Sequence, residues 1–169
     1  MKRIAFALAS AAVVAVSGAM PLSAQTFIST FGDWNAFSDG SGRDRVCYIA
    51  SLPKATAPQN VQRGKTYILI SNRPAEKTRN VFEFRAGYPF KDGAEVELQI
   101  DGNKPFKLFT KDDAAWARDD ATDRQIAEAM KKGNSVTVIG ISSRGTKTTD
   151  TYSLTGITAA LAAIDKECK

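Results

Sequence analysis

The chain has 169 residues, of which 23 are Lys or Arg and 18 are Asp or Glu, so its formal net charge is +5 at pH 7. It contains no histidine, which excludes Ser-His-Asp and Cys-His catalysis and histidine ligation of zinc or haem within this chain. Acidic residues stand beside the basic ones and no run of five like charges occurs. The positive charge therefore does not indicate nucleic-acid binding.

Residues 1–24 have the pattern of a cleavable signal peptide. Two basic residues precede an apolar segment over residues 4–19, and a proline and small residues follow. The apolar segment is shorter than the ~20 residues that a membrane-spanning helix needs. We therefore predict cleavage after Ala24, with Ala19 as the alternative, and a single domain over residues 25–169 without a stable membrane span.

The first part of the predicted mature chain is typical of short strands separated by turns. Apolar and β-branched residues favour strands at 25–31, 34–37 and 46–50, and the Ser/Asp/Gly cluster at 38–42 indicates a turn. Residues 52–63 contain two prolines and little apolar pattern. We predict a loop there.

The middle of the chain continues the β pattern. Residues 67–70 are continuously apolar and residues 81–85 alternate, with a polar connector from residue 71 to 77 between them. Residues 95–101 give the clearest alternation in the sequence, and an Asp-Gly turn then leads to residues 105–109. This pattern predicts a half-buried strand and an antiparallel partner joined by a hairpin.

A change of period predicts a helix over residues 122–132. Thr122 and Gln125 have the spacing of a capping box, an apolar stripe follows, and Gly133 stands where a helix commonly ends. Residues 135–142 are again apolar and β-branched, which predicts a further strand.

The C-terminal tail predicts a strand, a turn at Gly156 and a second helix near residues 157–166. Four residues of this segment fall on one helical face: Ile157, Leu161, Ile164 and Cys168. Cys47 is the one other cysteine. In an exported protein two cysteines favour a disulfide, so we predict a Cys47–Cys168 bond, with two buried free thiols as the alternative.

These elements predict a mainly β fold. Seven to nine short strands joined by Gly- and Pro-containing turns, with two short helices late in the chain, favour an antiparallel β-sandwich with helical additions. An α+β fold built on a single sheet is the second interpretation. Trp34 is expected to lie in the core because an aromatic side chain buries a large area.

Carboxylates are the remaining candidates for catalysis. Two acidic pairs flank Trp116: Asp112 with Asp113, and Asp119 with Asp120. They could serve a glycan hydrolase if they faced each other across a cleft, with the indole stacking on a sugar. Adjacent aspartates are more often turn and N-cap residues, and the order of ligands in a calcium loop is lacking. We therefore predict no catalytic residue, no metal site and no cofactor.

Several motifs resemble those of the invasion-associated locus B family of exported bacterial proteins. They are Gly32-Asp33-Trp34, Cys47, the Trp116 segment, the helix ending at residues 129–133, and the tail from Tyr152 to Leu161 with the terminal Cys168. The resemblance implies an immunoglobulin-like β-sandwich, a periplasmic or surface-associated location, and no established catalytic activity. The name of the family comes from a virulence-associated member linked to host-cell entry.

The sequence and this resemblance favour a non-enzymatic binding protein whose partner is an unknown protein or a component of the cell envelope. The candidate surface combines the connector from Arg73 to Arg79 with the segment from Asp112 to Asp120. An envelope-glycan hydrolase that uses the acids of Asp112–Asp120 is the alternative. A folding factor that holds unfolded clients is a third hypothesis.

Overall fold

The structure, a computed structural model, describes residues 25–169, so the predicted signal peptide lies outside the described residues. The strands are β1 (Thr26–Phe31), β2 (Trp34–Asp39), β3 (Val46–Ser51), β4 (Ala55–Ala57), β5 (Tyr67–Arg73), β6 (Thr78–Arg85), β7 (Val96–Ile100), β8 (Phe106–Lys111), β9 (Ala114–Trp116), β10 (Ser135–Ile141) and β11 (Lys147–Ser153). The α-helices are α1 (Asp120–Lys132) and α2 (Ile157–Glu167), and 3-10 turns cover Gly42–Asp44 and Pro74–Glu76. Within these described residues, no helix is long and apolar enough to cross a membrane.

Antiparallel pairing joins all eleven strands in the order β1-β2-β3-β5-β6-β9-β8-β7-β10-β11-β4. β8 links the two halves, because its first half pairs with β7 and its second half with β9. The series curls back on itself: the hydroxyls of Thr66 and Tyr152 lie 3.3 Å apart, and the indole Nε1 of Trp34 donates to the carbonyl of Ser153 at 3.1 Å. The prediction of a mainly β fold with two helices is confirmed.

Alternation along the strands places the apolar side chains of both halves in one core. In β7, Val96, Leu98 and Ile100 are buried as predicted, while the residues between them are partly exposed. Trp34 is fully buried, as expected. The largest other fully buried side chains come from strands of both halves and from the helices: Tyr152, Phe82, Phe84, Ile49, Ile68, Ile70, Leu108, Ile126, Met130 and Ile157.

Several strand assignments differ from the prediction. The predicted loop at 52–63 contains β4, and the three residues of β9 lie within the acidic segment. Strands of three residues are too short to show a period. β5 continues through the polar residues Ser71 and Asn72, which are both buried; the amide of Asn72 forms hydrogen bonds with Asp165 and with the backbone of Asn80.

Helix α1 begins earlier than predicted. Its N-cap is Asp119, whose carboxylate accepts a hydrogen bond from the backbone N–H of Thr122 at 2.7 Å. The predicted capping box starting at Thr122 is therefore wrong, because Thr122 already lies inside the first turn. Gly133 is the C-cap with φ −92°, and a Cβ there would lie 2.5 Å from Ile100 Cγ2. Close packing, rather than a left-handed conformation, requires glycine at this position.

Helix α2 is fastened at both ends. At its start, Gly156 has φ +91°, and a Cβ there would lie 2.1 Å from the carbonyl oxygen of Phe31. At its end, a disulfide joins Cys47 in β3 to Cys168, with the two Cα atoms 5.8 Å apart. Three of the four residues of the predicted helical face are buried within the helix and the fourth, Cys168, is buried just after it.

Candidate functional site

One member of each acidic pair makes a local structural contact. Asp112 and Asp113 belong to the turn between β8 and β9, where Asp113 accepts a hydrogen bond from Arg85 Nη1 at 2.9 Å. Asp119 caps α1, and the N–H of Thr122 lowers the pKa of its carboxyl. β9 stands between the pairs in the chain, and nothing in this geometry supports the alternative hypothesis of an envelope-glycan hydrolase. Trp116, between them, packs its ring 5.6 Å from that of Phe109.

One buried acid, Asp123 in α1, was not predicted from the sequence. Its side chain accepts a hydrogen bond from the backbone N–H of Phe82 at 2.8 Å and so ties the helix to β6. Burial raises the pKa of Asp123 to about 6, against the opposing effect of that hydrogen bond. Among residues 25–169, no group of three or more His, Cys, Asp or Glu could hold a metal ion.

The connector from Arg73 to Arg79 lies against the C-terminal end of α2. Arg79 donates to the carbonyl oxygen of Cys168 at 3.2 Å, and its Nη1 lies 3.4 Å from the carboxylate of Asp165. Asp113 instead contacts Arg85, at the opposite end of β6. The structure therefore does not bring the connector and Asp112–Asp113 together in one surface as predicted.

Two adjoining cavities, of about 680 and 290 Å³, lie between the connector, the 3-10 turn Gly42–Asp44 and the end of α2. They share Pro74, Cys168 and Lys169. We call them together the basic cleft. Cys168 lines both cavities, so the disulfide joins two of the three segments of the cleft, the end of α2 and the strand that follows the 3-10 turn.

Positive charge dominates the basic cleft. Three ion pairs cross or border it: Arg45–Glu167, Arg73–Glu76 and Arg79–Asp165. Four further basic side chains of these segments make no ion pair within the described part of the chain: Arg43, Lys77, Lys166 and Lys169. The arrangement can therefore attract anions, and salt will screen that attraction because the side chains are exposed.

Backbone geometry and a buried amide give the basic cleft a fixed shape. Lys77 adopts a left-handed conformation, φ +57°, and its N–H donates to the carbonyl of Pro74 at 3.1 Å. The amide of Asn72 donates to Asp165 at 2.7 Å, which joins β5 to α2. The hydroxyl oxygen of Thr78, which lines the smaller cavity, is buried without a hydrogen-bond partner.

Four of the basic residues were not singled out from the sequence. Arg43 and Arg45 precede Cys47, whereas Lys166 and Lys169 flank Cys168, so about 120 residues of chain separate the two groups. The predicted disulfide was the signal that could have found them. A bond between the cysteines must bring their neighbours together as well.

The Gly32-Asp33-Trp34 motif fastens the two ends of the domain. The backbone N–H of Asp33 donates to the carbonyl of Thr155 at 3.0 Å, and a Cβ on Gly32 would lie 2.5 Å from the same oxygen. Trp34 reaches the neighbouring Ser153. These motif residues therefore build the fold and do not face the basic cleft.

A family model matches most of the chain. Residues 34–165 match the family model described as "Invasion associated locus B (IalB) protein". No curated protein sequence matches the chain. Among solved structures, the crystal structure of invasion associated protein B from Bartonella henselae is similar, with a TM-score of 0.55 and 15% sequence identity over 82% of this chain and 96% of that one. At this identity the likeness shows the fold alone.

Proposed function

This chain belongs to the Invasion associated locus B (IalB) family, and on that premise we propose that it is an exported, non-enzymatic binding protein of the bacterial envelope. The basic cleft is the surface that it presents to its partner. The predicted signal peptide and the disulfide support export to an oxidising compartment, where such bonds persist.

The absence of a catalytic role is supported by what the candidate groups already do. Asp113 is engaged by Arg85, and Asp119 caps a helix. Asp123 is buried against the backbone of β6. Both cysteines are consumed by the disulfide, and the sequence has no histidine. A general acid and base would need to be free to face a common substrate atom, and each of these groups is already held by another contact.

The partner that the cleft fits best carries phosphate groups, and we assign it to anionic lipid headgroups of the envelope. The single observation that carries this proposal is the gathering of four unpaired cations around the disulfide: Arg43, Lys77, Lys166 and Lys169. Each exposed Lys or Arg near an anionic membrane surface contributes about 1 kcal/mol. Four give an attraction that is measurable at low ionic strength and weak at high ionic strength.

Co-sedimentation with vesicles tests the proposal. Vesicles that contain phosphatidylglycerol should bind the protein at low salt, whereas vesicles of phosphatidylcholine alone should not. The double variant Arg43→Gln/Lys166→Gln removes two of the four cations and should weaken binding by about 2 kcal/mol, roughly 30-fold. The matched control Lys104→Gln/Lys111→Gln changes the net charge equally at exposed lysines outside the cleft.

Equal weakening by both double variants would mean that net charge alone drives binding, and the cleft would then have no role. An absence of binding to phosphatidylglycerol vesicles at low salt would overturn the lipid assignment. Thermal unfolding of all variants provides the control for folding, because none of the four substituted side chains makes an ion pair within residues 25–169.

A further inference from the structure

A second cavity, separate from the basic cleft, has the features of a small-molecule site. It measures about 390 Å³, which lies within the usual range for such sites. Three segments enclose it, at residues 60–63, 87–89 and 142–148. We call it the polar pocket. None of its lining residues belongs to the basic cleft, so its role stands apart from the proposed function.

A buried ion pair supports one wall of the polar pocket. Arg63 lines the pocket and donates two hydrogen bonds to the carboxylate of Asp150, one of them 3.0 Å long between Nη1 and Oδ2. The side chain of Arg63 is 9% exposed and that of Asp150 is 0% exposed. Because Asp150 neutralises this guanidinium, the pair holds the irregular segment 60–63 in place without adding net charge.

Close backbone contacts shape the pocket in advance of any ligand. The N–H of Gly64 donates to the carbonyl of Gly87 at 2.8 Å, and a Cβ on Gly87, at φ +73°, would lie 2.5 Å from the carbonyl oxygen of Gly64. The hydroxyl of Tyr88 bonds that of Thr148, and burial raises the pKa of Tyr88. Tyr88 therefore stays neutral at physiological pH, and its ring forms a fixed wall.

The lining is rich in groups that both donate and accept hydrogen bonds: Asn60, Gln62, Tyr88, Ser142, Ser143, Thr146 and Thr148. No carboxylate lines the pocket. Arg144 is exposed at its rim and makes no ion pair within the described residues, so it supplies one uncompensated positive charge. The complement of this lining is a small molecule with several hydroxyls and one negative charge.

We propose that the polar pocket binds a sugar acid, with the carboxylate of the ligand at Arg144 and its hydroxyls on the amide and hydroxyl side chains. A guanidinium pairs a carboxylate through two parallel hydrogen bonds, which sets orientation as well as affinity. Tyr88 also lines the pocket, and a pyranose can pack its apolar face against an aromatic ring.

An NMR titration with D-glucuronate tests this inference. We expect saturable shifts of backbone amides at residues 60–63 and 142–148, and much weaker effects from D-glucose and from acetate, each of which carries half of the required chemistry. Arg144→Gln should weaken glucuronate binding roughly tenfold. Arg124→Gln, an exposed position on α1, should leave the affinity unchanged.

Asn60→Ala provides a second variant that removes a neutral lining group and should also weaken binding. The inference is overturned if glucuronate gives no saturable shifts at tens of millimolar, or if glucose or acetate binds as well as glucuronate. Equal binding by the Arg144→Gln and Arg124→Gln variants would also overturn it. None of these outcomes bears on vesicle binding at the basic cleft.

Discussion

Removal of the disulfide should cost this domain much of its stability. The bond joins residues 121 positions apart, and for a loop of that length the chain-entropy model gives about 5 kcal/mol. Small domains have total stabilities of about 5–15 kcal/mol. With a urea slope of about 2 kcal/mol per molar, the unfolding midpoint of the reduced protein should fall by about 2–3 M.

Urea unfolding followed by tryptophan fluorescence measures this shift, since Trp34 is fully buried and Trp116 half-buried. Oxidised and reduced wild type should be compared with the double variant Cys47→Ala/Cys168→Ala. The variant should unfold near the reduced wild type and should not respond to reductant. An unchanged midpoint after reduction would refute this expectation, as would two free thiols in the denatured, unreduced protein.

Three further substitutions test the fold around α1 and α2. Asp123→Asn should remove a pH dependence of stability, because the pKa of Asp123 is raised to about 6 in the folded state and wild-type stability therefore falls as the pH rises from about 4 to 6. By pH 7 the free energy of unfolding of the variant should have gained up to about 3 kcal/mol relative to wild type. Urea midpoints at each pH measure this difference, and parallel pH profiles of the two proteins would contradict it. Gly156→Ala should lower the melting temperature far more than Gly145→Ala, because both glycines have positive φ but only Gly156 meets backbone within 4 Å. Asp119→Ala should lower the urea midpoint more than Thr122→Ala, because Asp119 is the N-cap of α1. The reverse order would support a capping box that starts at Thr122.

Sequence periodicity predicted the elements whose two faces differ in environment. β7 was recognised because apolar and charged residues alternate over its whole length, and α2 because four apolar or cysteine positions share one helical face. β4 and β9 have three residues each, too few for any period to appear. Asp119 and Thr122 both have side chains that can cap a helix, and the fold makes Asp119 the N-cap of α1.

Neither cavity could be predicted from local patterns. The cations of the basic cleft come from three segments that only the fold brings together. The predicted pairing of Cys47 with Cys168 indicated that two of these segments meet. The polar pocket depends on contacts such as Gly64 with Gly87 and Arg63 with Asp150, between residues far apart in the chain. No spacing rule connects such residues, because their meeting depends on how the strands are ordered.

The position of Cys168 has a consequence for biogenesis. Polypeptides grow from the N-terminus, so Cys47 emerges early, whereas its partner follows α2, the last helix of the domain. Oxidation can therefore only follow the arrival of essentially the whole domain. A product that ends before Cys168 would keep the thiol of Cys47 unpaired and so open to exchange with other disulfides.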